Sequence, residues 1–174
     1  TFVNIGTITK EETREITGGL LAEDVPVALN KMIFEYDHLF ICGPTFPHEV
    51  VGFSGGYKYI FPGIAGPDII NFFHWLGAVL TSMKIIGTKD TPVREVLNRA
   101  AAFIEKPILC FSFVMQKETL LGLYVGPPKE AYSKAADLSA KVNIIYVDKP
   151  FKRVLSIAAP MYDDIWSAAK AMYK

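Results

Sequence analysis

The chain is poor in the residues that build metal clusters and covalent cross-links. It has two cysteines, Cys42 and Cys110, and three histidines. Both cysteines lie inside apolar runs, and no C-x-x-C pair exists, so a disulfide framework and a cysteine metal site are excluded. They read as reduced core residues of an intracellular protein. Charge of one sign is also lacking: 18 basic residues balance 18 acidic ones, for a formal net charge of zero. Without a basic excess nothing marks a nucleic-acid or anionic-membrane partner. Continuous apolar runs of the roughly 18 residues needed to cross a bilayer are missing too. The richest stretch, Phe72 to Ile86, is interrupted by His74, Thr81, Ser82 and Lys84. No signal peptide opens the chain, which starts at Thr1 without methionine and reads as part of a longer, cytoplasmic protein.

What is present is a substantial apolar content, 51% of 174 residues, enough for one full domain. Residues 1–10 read as extended, and Thr9 to Ile16 as a short helix. Pro26 to Lys31 reads as a linker or strand edge. Asp37 to Pro44 reads as a buried strand ending at a Gly-Pro breaker. Pro67-Asp68 opens a helix expected to reach about Lys84, with Phe72, Leu76 and Val79 on one face. Thr91 is the expected N-cap of the next helix, with Pro92 at its first position. Ile108–Val114 and Thr119–Val125 read as a hairpin across Gln116-Lys117-Glu118. Lys129 to Lys141 reads as an amphipathic helix, Val142–Val147 and Arg153–Ala158 as strands, and Tyr162 onward as a helix. Alternating strands and helices give the class α/β. The Asp148-Lys149-Pro150 break divides residues 1–150, an α/β cofactor-binding and catalytic segment, from residues 151–174, the start of a second lobe.

Chemistry concentrates in one stretch, Pro47-His48-Glu49-Val50-Val51-Gly52-Phe53-Ser54-Gly55-Gly56-Tyr57-Lys58, which follows the buried strand. The end of a strand in an α/β sheet is where ligands bind. Glycines at 52, 55 and 56 allow positive φ, and successive N–H groups in such a bend can cradle an anion. Gly52 to Gly56 also fits G-x-S-x-G, the nucleophile elbow of serine hydrolases. The only histidine after Ser54 is His74, twenty residues on within an apolar helix, which is poor support for a triad. The P-loop test fails, because no Gly-Lys-Ser/Thr follows. His38 beside Asp37 reads as structural, and Asp163 and Asp164 as caps of the last helix. A metal held by these histidines would need most of its ligands from an organic cofactor.

The pattern P-H-x-x-x-G-F-S-G-G-x-K-x-x-x-P-G-I-x-G, followed by a histidine, resembles the nickel-pincer nucleotide-dependent lactate racemase family. His48, Lys58 and His74 stand at intervals of ten and sixteen residues, as in that family. The segment from Asp164 to Ala171 is similar to the family's N-L-Y-Q-A-Q-K-A, with Lys170 at its lysine. The resemblance implies a larger two-domain enzyme of which this chain is an internal segment, inactive by itself. It implies a racemase or epimerase of 2-hydroxyacids that moves a hydride from substrate to cofactor and back. Such a cofactor is a pyridinium bisthiocarboxylate mononucleotide carrying nickel, made by dedicated biosynthetic enzymes. By the same resemblance His48 is an acid/base, Lys58 the covalent attachment point, and His74 the nickel ligand. Ser54, Gly55 and Gly56 would hold the cofactor phosphate; Lys170, Trp166 and Ser167 would contact substrate. Trp166 and Ser167 replace the family's tyrosine and glutamine, which favours a 2-hydroxyacid other than lactate. An Asp-x-x-Arg segment and a second catalytic histidine, expected upstream in the family, do not occur in these residues. The readings outside this family are a non-catalytic cofactor- or partner-binding module and, less well supported, a serine hydrolase.

Overall fold

In the computed structural model residues 1–160 and 164–169 are described, Trp166 and Ser167 by backbone alone. The chain begins with β1 (Phe2–Ile8), α1 (Lys10–Ile16) and β2 (Val25–Asn30). β1 and β2 pair antiparallel from Phe2↔Asn30 to Ile8↔Val25. α1 starts at a capping box: the Thr9 hydroxyl accepts from Glu12 N–H, and the Glu12 carboxylate accepts from Thr9 N–H at 2.8 Å. β2, expected as a linker or edge, is a true strand because Val25, Val27 and Leu29 alternate into the core.

The main sheet has the order β3-β6-β7. β3 (Leu39–Pro44) is followed by the small ladder of β4 (Pro47–His48) and β5 (Gly52–Phe53). The helices α2 (Pro67–Leu80), α3 (Ser82–Ile85) and α4 (Pro92–Ala101) complete the crossover to β6 (Ile108–Gln116). β6 runs parallel to β3, with Leu39↔Ile108 through Pro44↔Phe113. β7 (Thr119–Gly126) returns antiparallel to β6, Lys117 taking the positive φ that the tight connection needs. α5 (Pro128–Asn143) packs on β6 and β7, and a short α6 (Ile165–Ala168) closes the described residues. The mixture of helices with a partly parallel sheet is the expected α/β class.

The core joins β2, α2, α4 and the inner face of the sheet through Val27, Leu29, Ile69, Leu76, Leu97 and Cys110. Thr91 caps α4 as expected, its hydroxyl accepting from Arg94 N–H at 3.1 Å. The outer face of the sheet is open, with Phe40 68% exposed and Leu123 and Val125 also exposed.

Several expectations are corrected. The helix from Pro67 stops at Leu80, where Thr81 takes φ 72° and the chain turns into α3. Val79 lies 39% exposed, off the face that Phe72 and Leu76 bury. Cys42 is exposed because β3 turns it to the open sheet face; only Cys110 is a core thiol. No strand forms at 142–147 or 153–158. α5 runs on to Asn143, and the residues beyond it find no strand edge: Ile145 is 87% exposed, and Val154, Leu155 and Ile157 are exposed as well. Of the last expected helix, residues 164–169 fall within the described residues, and Ile165–Ala168 of them are helical.

Candidate functional site

The site grows from the carboxyl end of β3. Thr45 N–H donates to Phe113 O at 2.8 Å, tying the outgoing chain to the neighbouring parallel strand. The chain then folds back on itself, His48 opposite Gly52 and Pro47 opposite Phe53. Gly52 takes φ 84°, and its carbonyl accepts from Gly87 N–H at 2.9 Å. A Cβ at Gly52 would run into the Thr88 carbonyl, so only glycine fits that approach.

Ser54 holds the loop rather than presenting a nucleophile. Its N–H donates to Phe46 O at 2.8 Å and its hydroxyl to Pro44 O at 2.9 Å, while Phe46 N–H donates to Ser54 Oγ at 3.0 Å. The side chain is buried and no histidine reaches it among its described bonds, so the geometry gives no support to the serine-hydrolase reading. Gly55 and Gly56 follow with φ 94° and 57°, and the next turn, Gly56–Tyr59, carries Lys58 half-buried. A Cβ on Gly56 would sit 3.0 Å from the Tyr132 Cβ, and one on Gly55 would press on the buried Thr45 hydroxyl. Thr45 Oγ1 has no hydrogen-bond partner among the described residues. Tyr59 OH donates to Pro44 O at 3.0 Å, and burial, with lesser contributions from Cys110 and Cys42, pushes its pKa up to about 12. Burial likewise pushes the Cys110 thiol up, partly countered by hydrogen bonds from Ser112 and Gly56 N–H.

His48 is mostly buried, its side chain 15% exposed. Val50 N–H donates to its Nδ1 at 3.1 Å, and Glu49 Oε2 lies 3.7 Å from the same nitrogen. A ring nitrogen that accepts an N–H carries no proton, so the neutral ring is protonated on Nε2. His74 has the opposite polarity. Its Nδ1–H donates to Ile70 O at 2.8 Å, since a carbonyl can only accept. Nε2 is then the bare nitrogen of an exposed ring, braced by stacking on Phe73 at 4.3 Å. A backbone carbonyl that fixes the tautomer of a ligating imidazole is the usual arrangement behind a metal ligand.

The two histidine elements are neighbours. Gly77, one turn after His74, packs on Val50 at the bend of the hairpin, where a Cβ would lie 2.8 Å from Val50 Cγ1. The structure thus joins His48, Ser54, Gly55, Gly56 and Lys58 in one hairpin-and-loop unit and sets the His74 helix against its bend. Beside it lies a cavity of about 490 Å³ lined by Phe46, Pro47, Ile86, Gly87 and Ile144. Trp166 and Ser167 lie on α6, with only their backbone described, and Lys170 lies outside the described residues. Among the described residues no cluster of three or more His, Cys, Asp or Glu exists, so a metal bound through His74 would rest on one protein ligand there. None of the described helices is long and apolar enough to cross a membrane.

One residue escaped the sequence. Arg94, on α4, is 3% exposed, and its guanidinium donates to Gly55 O at 3.0 Å and to Phe53 O. It stacks over the Tyr132 ring, 4.0 Å from the centroid. Burial lowers its pKa, against which the Tyr132 phenol acts most strongly. The only local signal was an arginine between the apolar positions Val93 and Val96, which reads as a surface residue.

Residues 7–86 match the sequence profile of the lactate racemase N-terminal domain. The lactate racemase of Thermoanaerobacterium thermosaccharolyticum is 24% identical over 157 residues, 88% of this chain and 37% of that protein. A crystal structure of a Thermotoga maritima protein superposes on 99% of this chain and 44% of its own, with TM-score 0.86 and 33% identity. The lactate racemase apoprotein of T. thermosaccharolyticum has the same fold over 81% of this chain and 31% of its own, with TM-score 0.61 and 22% identity. The chain therefore spans less than half the length of these relatives.

Proposed function

We propose, for a chain that belongs to the lactate racemase family through residues 7–86, that it forms the cofactor-bearing part of a 2-hydroxyacid racemase or epimerase. The observation that carries this reading is His74. Its Nδ1–H is committed to Ile70 O, and its ring is exposed with Nε2 left to bind. A single imidazole would suit a metal whose remaining ligands come with an organic group, and nickel(II) takes imidazole nitrogen as a ligand. The loop fits the rest of that group. Gly55 and Gly56 give a backbone surface without side chains, Thr45 adds a buried hydroxyl beneath it that has no partner among the described residues, and Lys58 follows at once.

A nickel-pincer nucleotide, when bound, supplies the hydride acceptor that a 2-hydroxyacid needs to pass through its planar keto acid. The chain's own residues hold and protonate. Lys58, as an amine, would attack a thioacid carbon of the bound group and form a thioamide, the carbon losing its oxygen as water. His48 serves the substrate oxygen. With Nδ1 accepting from Val50 N–H, its Nε2–H is a donor suited to a keto oxygen about to become a hydroxyl. Taking the hydroxyl proton in the other direction needs Nε2 bare and the proton on Nδ1, which requires Val50 N–H to release that nitrogen; Glu49, 3.7 Å away, is the acceptor at hand once it does. Trp166, Ser167 and Lys170 are proposed to meet the substrate.

The test is to express the full-length protein with the cofactor-synthesis enzymes and measure peptide masses and nickel. An adduct on the Lys58 peptide is expected, lost in Lys58→Ala. His74→Ala should keep the adduct and lose nickel. His48→Ala should keep both and lose turnover by about 10²–10⁴-fold. An adduct that survives Lys58→Ala would overturn the assignment.

A further inference from the structure

We propose that Arg94 is a positioning residue that sets the peptide planes of the glycine loop and thereby the direction of the Lys58 amine. The proposal rests on the reading of Lys58 as the attachment point. Among the described residues no carboxylate forms an ion pair with this buried guanidinium. A buried cation without a counter-ion is costly and persists only where other groups compensate. Here the compensation is the carbonyls of Phe53 and Gly55, the face of Tyr132 and, at longer range, the Asp90 carboxylate. Arg94 reaches these groups from far along the chain, and α4 holds it firmly: Thr91 caps its amide, and Val93, Val96 and Leu97 around it are fully buried.

The consequence is directional. In a trans peptide the C=O and the following N–H point to opposite sides. With Phe53 O and Gly55 O turned to Arg94, the N–H groups of Ser54 and Gly56 must face away from it. Ser54 N–H does so, donating to Phe46 O at 2.8 Å. The Gly55–Gly56 plane lies between glycines at φ 94° and 57°, which have wide alternatives, so it is this plane that the Arg94 bond to Gly55 O holds. Lys58 lies two residues past Gly56 in the turn that starts there, and its own N–H donates to Gly55 O at 3.3 Å. The carbonyl that Arg94 holds is therefore the one on which the lysine turn is built.

The test uses the cofactor-free full-length protein and its loaded form. Wild-type hydrogen exchange of residues 53–58 should be as slow as that of residues 92–101. Arg94→Lys keeps the charge but cannot fork two carbonyls. In it, acetylation of Lys58 by acetic anhydride, read by peptide mass against the exposed Lys10, should rise by at least about tenfold, as one of the two charged hydrogen bonds is lost. Adduct on Lys58 should fall in parallel, and ethylguanidinium should restore the wild-type labelling ratio in Arg94→Ala. A folded Arg94→Lys with wild-type labelling would overturn the proposal. If no Arg94 variant folds, the wild-type exchange decides: loop amides that exchange far faster than the helix refute the clamp. A labelling change with no adduct even in wild type would leave the clamp standing and refute the role of Lys58 in cofactor attachment.

Discussion

Gly52→Ala should cost far more than an ordinary glycine substitution, and its excess measures how tightly the hairpin is closed. Gly52 has φ 84°, a conformation that costs an L-residue about 1–2 kcal/mol. The new Cβ would also lie inside the Thr88 carbonyl oxygen. Relief requires the Thr88 and Ile85 carbonyls to turn aside, which endangers Gly87 N–H to Gly52 O at 2.9 Å and Thr88 N–H to Ile85 O at 2.8 Å. At roughly 1 kcal/mol for each lost bond the sum reaches about 3–4 kcal/mol, a large share of a typical domain's stability. Gly18 provides the control. It has φ 63°, and a Cβ there would meet nothing within 4 Å, so Gly18→Ala carries the backbone strain alone, about 1–2 kcal/mol. Urea denaturation of both variants, followed by circular dichroism, separates the two contributions. Equal losses in the two variants would refute the close approach of Gly52 to Thr88.

Three further outcomes are expected. Because Tyr59 is raised to about 12 from an ordinary value near 10, the folded state holds its proton more tightly; that stability is complete below pH 10 and lost between pH 10 and 12. Tyr59→Phe should flatten this alkaline loss and remove one late phenolate from the 295 nm titration; an unchanged titration would contradict it. Thr9→Ala should cost about 1 kcal/mol in urea unfolding by opening the capping box of α1. Glu12, held below its usual value chiefly by Thr9 N–H and then by Arg99, gives stability that is present above pH 4.5 and lost as acid protonates it, so Glu12→Gln should flatten the acid limb of a Tm-versus-pH profile.

The sequence made the local parts of the site legible. His48, the glycines and Lys58 lie within eleven residues, so their grouping follows from chain continuity alone. Cap signals at Thr9 and Thr91 and the β6–β7 hairpin were also readable, because each depends on neighbours a few residues apart. What failed depends on distant partners. Val142–Val147 and Arg153–Ala158 have strand composition, but a strand forms only against an edge, and these segments pair with none of the described strands. Cys42 sits in an apolar run, yet its exposure depends on which sheet face is covered. Arg94 gave no sign, because nothing in its own helix announces two carbonyls more than thirty-five residues earlier.

The break at Thr81 shows how a local rule yields to the site. Continuing α2 through Lys84 would satisfy helix propensity, whereas the observed φ of 72° at a threonine costs about 1–2 kcal/mol. In return the chain turns back and buries Ile85 to 1% exposure, a gain of about 1.5–3 kcal/mol. The same turn delivers Gly87 N–H to Gly52 O and seats Thr88 over the one position in the hairpin that has no Cβ. The strained threonine and the obligatory glycine are thus two ends of one closure. His74 lies ahead of the break on unbroken helix, braced by Ile70 O and Phe73, and His48 lies directly opposite Gly52. Strain is therefore placed in the connection, where it closes the hairpin, and kept out of the elements that carry the imidazoles.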